Sequence, residues 1–164
     1  MPLIRDKALS EDEWVSVGEE DPLPTDGSPV IVGLKCWRER GESIRSHNGP
    51  LGIRLDSDEA PDEIAEDLGR FDLVALNFPN FNDGRPFSHA RLLRERYGFK
   101  GEIRATGDVL QDQLFFMLRC GFDAFELRED KNVDSAIKAF GDYTVAYQPG
   151  SDHMPAAYKA RLKR

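Results

Sequence analysis

The second half of the chain repeats one pattern, in which an apolar helical segment is followed by a glycine and then by a short β-rich segment. The pattern occurs four times, around Gly69, Gly98, Gly121 and Gly141. A glycine just beyond a helix adopts the left-handed conformation that ends it, and repeated helix–glycine–strand units are typical of a mostly parallel sheet covered by helices. Because ligands bind such sheets at the carboxyl ends of the strands, the pattern also predicts where a functional site lies.

Apolar segments and their boundaries predict an α/β fold with a mostly parallel sheet of five or six strands and flanking helices. The predicted strands are 30–34, 51–55, 73–78, 102–105, 123–127 and 143–147, and the predicted helices are 37–44, 61–68, 88–97, 109–120 and 133–140. A closed eight-unit barrel typically takes about 250 residues. At 164 residues the chain is shorter, so we expect an open sheet or a partial βα-barrel.

Charge and composition divide the chain into three parts. Residues 1–28 are an acidic irregular arm, with eight carboxylates against Arg5 and Lys7 and at most a short edge strand. Residues 29–148 are predicted to form a single α/β domain, and 149–164 a polar basic tail. The segment 85–104 carries six Lys and Arg side chains. Whether the acidic arm docks on that basic segment is left open by the sequence.

The composition also excludes several classes of protein. A net charge of −8 argues against a nucleic-acid-binding surface. Two distant cysteines without a C-x-x-C spacing indicate a reduced, cytoplasmic protein, and no apolar run approaches the length of a membrane span. The histidines, His47, His89 and His153, stand apart from each other, so we expect no metal site, and His89 is expected to be solvated.

Candidate binding residues follow the predicted strand 73–78. Asn77, Asp83 and Arg85 belong to a loop that combines an acid, a base, amides and aromatic side chains. Arg85 offers a planar fork to an anion while Asp83 orients it or acts as a base. The alternative is that the two side chains brace a long loop.

The next two strands end in further charged residues. Arg104 to Asp108 run from a strand into a helix, where backbone N–H groups either bind an anion or are capped by Asp108. Glu126 and Arg128 end the following strand, and a glutamate inside a helix-covered sheet needs a partner, for which Arg104 or Arg85 is the natural choice. The sequence thus predicts a crevice lined by Arg85, Arg104 and Arg128 together with Asp83, Asp108 and Glu126.

The predicted helix 109–120 is apolar on nearly all sides. Such a helix is buried in its own protein or against a partner. It is therefore either a central core helix or a helix at an interface with a partner or a second copy of the chain. In the second case the protein forms a complex or a homo-oligomer, and the interface candidates are Phe115, Phe116 and Leu118. In both cases Cys120 behaves as a small buried apolar residue.

Four segments carry a resemblance to a known family: FPNFNDGRPFS (78–88), ARLLRERYGF (90–99), GEIRATGDVLQDQ (101–113) and RCGFDAFEL (119–127). They resemble a bacterial family of unknown function whose members are commonly encoded beside the assimilatory sulfite reductase. Members of that family are often labelled as probable oxidoreductases of sulfite reduction. The resemblance spans about residues 30–148 and implies a role in sulfur assimilation.

The residues themselves restrict that role. Sulfite reduction moves six electrons through cofactors, but two isolated cysteines cannot bind an iron–sulfur cluster, and the chain has neither a dinucleotide nor a Walker motif. We therefore expect a non-redox accessory protein without a cofactor, which binds a small oxyanion or the sulfite reductase hemoprotein. Two alternatives stand beside it: an oxidoreductase that uses a flavin, and a structural oligomer.

Overall fold

The computed structural model describes residues 1–129, 132–141, 145–152, 154 and 156–158. Within these residues the chain forms eight β-strands and four α-helices. The strands are β1 (Leu3–Arg5), β2 (Ala8–Ser10), β3 (Val15–Val17), β4 (Val30–Gly33), β5 (Leu51–Leu55), β6 (Leu73–Phe78), β7 (Glu102–Gly107) and β8 (Ala124–Glu126). The helices are α1 (Leu34–Arg45), α2 (Arg85–Arg91), α3 (Leu114–Cys120) and α4 (Val133–Ala139).

All eight strands belong to one mixed sheet with the order β2-β1-β8-β7-β6-β5-β4-β3. The strands from β3 to β8 are parallel and lie in chain order, whereas β1 is antiparallel to both β8 and β2. The predicted α/β class is confirmed. The predicted size is wrong: the sheet has more than five or six strands, because β1 and β2 extend it beyond β8 and β3 extends it beyond β4. The sheet is mostly but not purely parallel, since β1 runs opposite to the other strands.

The path of the chain shows that this sheet is curled. β2 and β3 are its two edge strands, yet only residues 11–14 separate them. An extended chain can span at most about 18 Å between Ser10 and Val15. A flat sheet of eight strands would place its edge strands about 34 Å apart. The sheet is therefore an open half-barrel, and residues 11–14, here called the crossing segment, pass over its concave side.

Side chains that alternate along the strands divide the interior into two layers. The larger layer lies between the sheet and the helices, and Val32, Ile53 and Val74 belong to it. On the concave face Ile31, Leu73 and Ala75 pack against Trp14 of the crossing segment. The concave face is thus covered by the chain itself.

Residues 1–28 are not the irregular arm that the sequence predicts. They contribute β1, β2 and β3 to the sheet, and Leu3 and Ile4 are buried. Each strand has only three residues, too few to show a clear alternation of apolar and polar side chains.

Several predicted helices differ in extent from the observed elements. Two 3₁₀ turns, Pro61–Ile64 and Leu68–Arg70, replace the predicted helix 61–68, and a 3₁₀ turn, Gln111–Gln113, precedes α3. α2 begins at Arg85 rather than at a Ser88 cap and continues into a π turn, Leu92–Arg96. Pro86 explains the earlier start, because proline fits the first turn of a helix. The predicted strand 143–147 falls partly outside the described residues, as do His153 and most of the basic tail.

Gly121 and Gly98 confirm the predicted helix-ending role. Gly121 caps α3 with a φ of +109°, and Gly98 follows the π turn with a φ of +65°. In the described part of the chain, no helix has the length and apolar character needed to cross a membrane.

Candidate functional site

The carboxyl ends of β6 and β7 lie side by side and carry two of the predicted binding loops. Asn77 pairs with Thr106 in the strand register, and Phe78 with Gly107. Gly107 has a φ of +87°, and a Cβ atom there would lie 2.3 Å from the carbonyl oxygen of Phe78. Only a glycine permits this close approach, which places the loop 79–84 against the segment 108–113.

Arg85 and Asp83 form a closed cluster with Ser57 at this end of the sheet. Arg85 Nη2 donates to Asp83 Oδ2 at 2.6 Å and to Ser57 Oγ at 2.8 Å, and Arg85 Nε lies 3.0 Å from Asp83 Oδ1. Hydrogen bonds from Arg85 and then from Ser57 hold the pKa of Asp83 well below its usual range. Asp83 is therefore ionised at neutral pH, and its charge is already matched by Arg85.

His89 belongs to the same cluster, although the sequence predicts a solvated side chain. It is half-buried, and its Nδ1 atom is buried with no hydrogen-bond partner among the described residues. Burial lowers the pKa of His89, and the positive charge of Arg85 lowers it further. The ring is accordingly neutral at pH 7. Its spacing of four residues from Arg85 on α2 is the signal that could have placed it here.

A second pair closes the neighbouring loop. Asp108 Oδ1 lies 3.3 Å from Arg128 Nη1, and Asp108 Oδ2 accepts a hydrogen bond from the backbone N–H of Phe81 at 3.1 Å. Asp108 thus braces the loop after β6. The alternative that Asp108 caps a helix, which the sequence left open, does not apply. Asn77 likewise binds a neighbouring loop, since its Nδ2 donates to Asp56 Oδ1 at 3.0 Å.

Arg104 lies elsewhere, on the concave face of β7. Its side chain is 0% exposed and is surrounded by three carboxylates. Arg104 Nε is 2.8 Å from Glu102 Oε1, and Nη1 is 3.0 Å from Asp12 Oδ2 and 3.2 Å from Glu126 Oε1. The predicted pairing of Glu126 with Arg104 is confirmed.

The predicted crevice lined by three arginines is therefore wrong in one respect. Arg85 and Arg128 lie at the carboxyl ends of the strands, each beside its own carboxylate, whereas Arg104 is buried under the crossing segment. The prediction failed because Arg104 sits three residues before the end of β7, on the face that Asp12 covers. Asp12 is 92 residues away in the chain, so no local pattern links the two.

An aromatic surface, formed by Phe81, Phe87 and Phe116, lies beside these charged pairs. Phe81 is 52% exposed and Phe116 57% exposed, while Phe87 packs between the rings of Phe116 and Phe78 with centroid distances of 5.0 and 5.1 Å. Gln113 Nε2 donates to the carbonyl oxygen of Phe81 at 3.3 Å, which ties its loop to the start of α3. Exposed aromatic rings are typical anchors for a partner protein, and the ring of Phe116 is supported from the core by Phe87.

α3 is buried on one side and exposed on the other. Leu114, Met117 and Cys120 are buried in the core, and Phe116 faces outward. Of the other two interface candidates, Phe115 is half-buried and Leu118 packs against the core. The exposed face of α3 is thus narrower than the sequence predicts.

A cleft of about 570 Å³ lies at the carboxyl ends of β3, β4 and β5. Several of its acidic side chains are already engaged: Glu19 pairs with Lys35 at 2.7 Å, and the backbone N–H of Asp56 donates to Glu59 at 2.7 Å. This cleft was not predicted from the sequence, because residues 18–21 belong to the segment that the sequence indicates as an irregular arm.

Among the described residues no three His, Cys, Asp or Glu side chains are grouped so that they could hold a metal ion.

Comparison with known proteins identifies the family of the chain. No curated protein matches the chain. A family model described as a bacterial protein of unknown function (DUF934) matches residues 52–158, which include the loops after β5, β6, β7 and β8 but not the crossing segment. The chain belongs to this DUF934 family of bacterial proteins of unknown function.

Proposed function

We propose that the protein is a non-redox accessory protein of assimilatory sulfite reduction, and that it binds the sulfite reductase hemoprotein through the aromatic surface and the flanking charged pairs. The family resemblance supports a role in assimilatory sulfite reduction. The exposure of Phe81 and Phe116 at the carboxyl end of the sheet is the observation that carries the mode of binding. Surface aromatics flanked by Arg–carboxylate pairs resemble the composition of protein interfaces.

The charged pairs favour a protein partner over a free oxyanion at this surface. Arg85 contacts Asp83 through two nitrogens, and Arg128 contacts Asp108. A small anion would have to displace a carboxylate that is held by its own loop. A partner protein can instead bury the rings and add its own polar groups around pairs that stay intact.

A binding experiment tests the proposal directly. The purified chain and the sulfite reductase hemoprotein are titrated by calorimetry, first as wild type and then with Phe81→Ser and Phe116→Ser combined. We expect the double substitution to weaken binding by at least about a hundredfold, because two aromatic anchors that a partner buries each contribute on the order of 2 kcal/mol.

Leu9→Ser is the matched control, since Leu9 is also exposed, at 63%, but lies on the edge strand β2. This variant should bind like the wild type. Absence of binding by the wild-type chain contradicts the proposal, as does equal binding by the double variant.

Two measurements address the alternatives. A visible absorption spectrum of the freshly purified chain reports a bound flavin, and a stoichiometric yellow chromophore would favour the oxidoreductase. Light scattering reports self-association, and an assembly that Phe116→Glu dissociates would assign the aromatic surface to a second copy of the chain.

A further inference from the structure

The guanidinium of Arg104 is buried but incompletely bound. Both carboxylate oxygens of Asp12 lie 3.0 Å from the same nitrogen, Nη1. Nη2 is buried and has no hydrogen-bond partner among the described residues. A buried donor without a partner costs free energy, so Nη2 of Arg104 favours an additional hydrogen-bond acceptor.

The geometry of Asp12 is not the one that a guanidinium prefers. A carboxylate or an inorganic oxyanion normally places two oxygens against two guanidinium nitrogens, as parallel hydrogen bonds. Asp12 engages one nitrogen with both oxygens, because its position is fixed by the short crossing segment. An anion that is not tethered to the chain could contact Nη1 and Nη2 together.

Asp12 differs from the other carboxylates around Arg104 in its position. Glu102 and Glu126 project from strands inside the sheet, and their side chains are 16% and 18% exposed. Asp12 comes from the crossing segment, and its side chain is 34% exposed. Asp12 is therefore the carboxylate that can leave without disrupting the sheet.

Charge counting supports the exchange. The concave cluster contains two arginines, Arg5 and Arg104, and three carboxylates, since Arg5 Nε lies 2.8 Å from Glu102 Oε2. With Asp12 in place the cluster carries a net charge of −1. A monovalent anion that replaces Asp12 leaves this net charge unchanged, whereas a dianion such as sulfate adds one negative charge.

We propose that Arg104 is a binding site for a carboxylate or an inorganic oxyanion, that Asp12 occupies this site in the absence of the anion, and that the crossing segment lifts when the anion binds. Trp14 moves with Asp12, because its backbone N–H donates to Asp12 Oδ1 at 3.2 Å and its ring packs on Ile31 and Leu73. This site is separate from the aromatic surface, and neither proposal depends on the other.

Calorimetric titrations with sulfate, acetate and a hexaglutamate peptide test the site. Asp12→Ala should bind the anion roughly tenfold or more tightly than the wild type, because the competing carboxylate is gone. Glu13→Ala removes the same charge from the crossing segment and has no contact with Arg104 among those described, so it should bind like the wild type. Tighter binding of sulfate indicates a free ion, and tighter binding of the peptide indicates an acidic segment of a partner. Equal affinities of the Asp12→Ala and Glu13→Ala variants overturn the proposal.

Fluorescence of the wild-type chain provides a test that needs no Asp12 variant. Lifting of the crossing segment exposes Trp14 to water, so its emission should shift to longer wavelength as the anion saturates the site. The shift should disappear in Trp14→Phe, which retains Trp37. A spectrum that the anions leave unchanged, or a shift that persists in Trp14→Phe, contradicts the lifting of the segment.

Discussion

Arg85 and Arg104 show how far a single residue can be understood from its neighbours in the chain. The pairing of Arg85 with Asp83 two residues earlier is local, and the sequence offered it as one of two alternatives. The partner Glu126 of Arg104 was also predictable, because a charge inside a covered strand requires an opposite charge. The burial of Arg104 was not predictable, since it depends on Asp12, which approaches only after the sheet has curled.

At the residue scale, substitution of Arg85 should change the titration of His89. Burial and the positive charge of Arg85 both lower the pKa of His89, so Arg85→Met should raise that pKa toward its ordinary value near 6.5. Because the folded state binds this proton less readily than the unfolded state, the wild type loses stability as the pH falls below about 6.5. The variant should lose less over the same range.

NMR titration of the His89 ring measures this change. Arg91→Met is the control, since Arg91 is also on α2 but pairs with Glu95 at 3.1 Å. The His89 pKa should be the same in this control as in the wild type. An unchanged or lower His89 pKa in Arg85→Met would show that the charge of Arg85 does not act on the ring.

The elements differ in how well their sequences define them. β5 and β6 match the predicted residues at both ends, because both segments are mainly apolar and are flanked by turn-forming or polar residues. β1, β2 and β3 were missed, because three residues carry too little pattern and their pairing with distant strands determines their conformation. Gly69 resembles the helix-ending glycines in sequence but lies inside a 3₁₀ turn without a positive φ.

At the scale of the element, Gly121→Ala tests the end of α3. The left-handed conformation costs a non-glycine residue about 1–2 kcal/mol. The added Cβ would also lie 2.6 Å from Cγ of Arg94, whose guanidinium is held by the carbonyl groups of Gly121, Phe99 and Gly101. We expect the free energy of unfolding to fall by at least about 1–2 kcal/mol, as measured by urea denaturation.

Gly69→Ala is the matched substitution. A Cβ atom at Gly69 meets nothing within 4 Å, and the φ angle is not positive. This change should leave stability unaltered or raise it by about 0.4–1 kcal/mol, because alanine restricts the unfolded chain. Equal losses in both variants would rule out the left-handed cap as the cause.

The fold of the whole molecule depends on its first residues. The sequence predicted the half-barrel only as one of two alternatives, an open sheet or a partial βα-barrel. The sequence pattern defined the central strands of the sheet but not its edge strands. Removal of residues 1–14 takes away β1, β2 and the crossing segment. Loss of the buried Leu3 and Ile4 side chains alone costs about 1.5–3 kcal/mol each, against a total stability of about 5–15 kcal/mol for a typical domain.

We therefore expect the truncated chain to lose cooperative unfolding, measured by circular dichroism in urea. Leu9→Ala, at an exposed position within the same region, should unfold like the wild type. If the truncated chain unfolds cooperatively at the wild-type midpoint, residues 1–14 are an independent arm, as their composition alone indicated.

The pairing of β1 with β8 also determines when the molecule can be completed during synthesis. Leu3 lies opposite Glu126 in the register, so β1 cannot pair with β8 until the intervening chain has been made. Contacts so far apart in the chain form slowly, because a long loop must close before they contribute free energy. Until then Leu3 and Ile4 remain in water, and the nascent chain presents them to whatever chaperone or neighbouring polypeptide it meets.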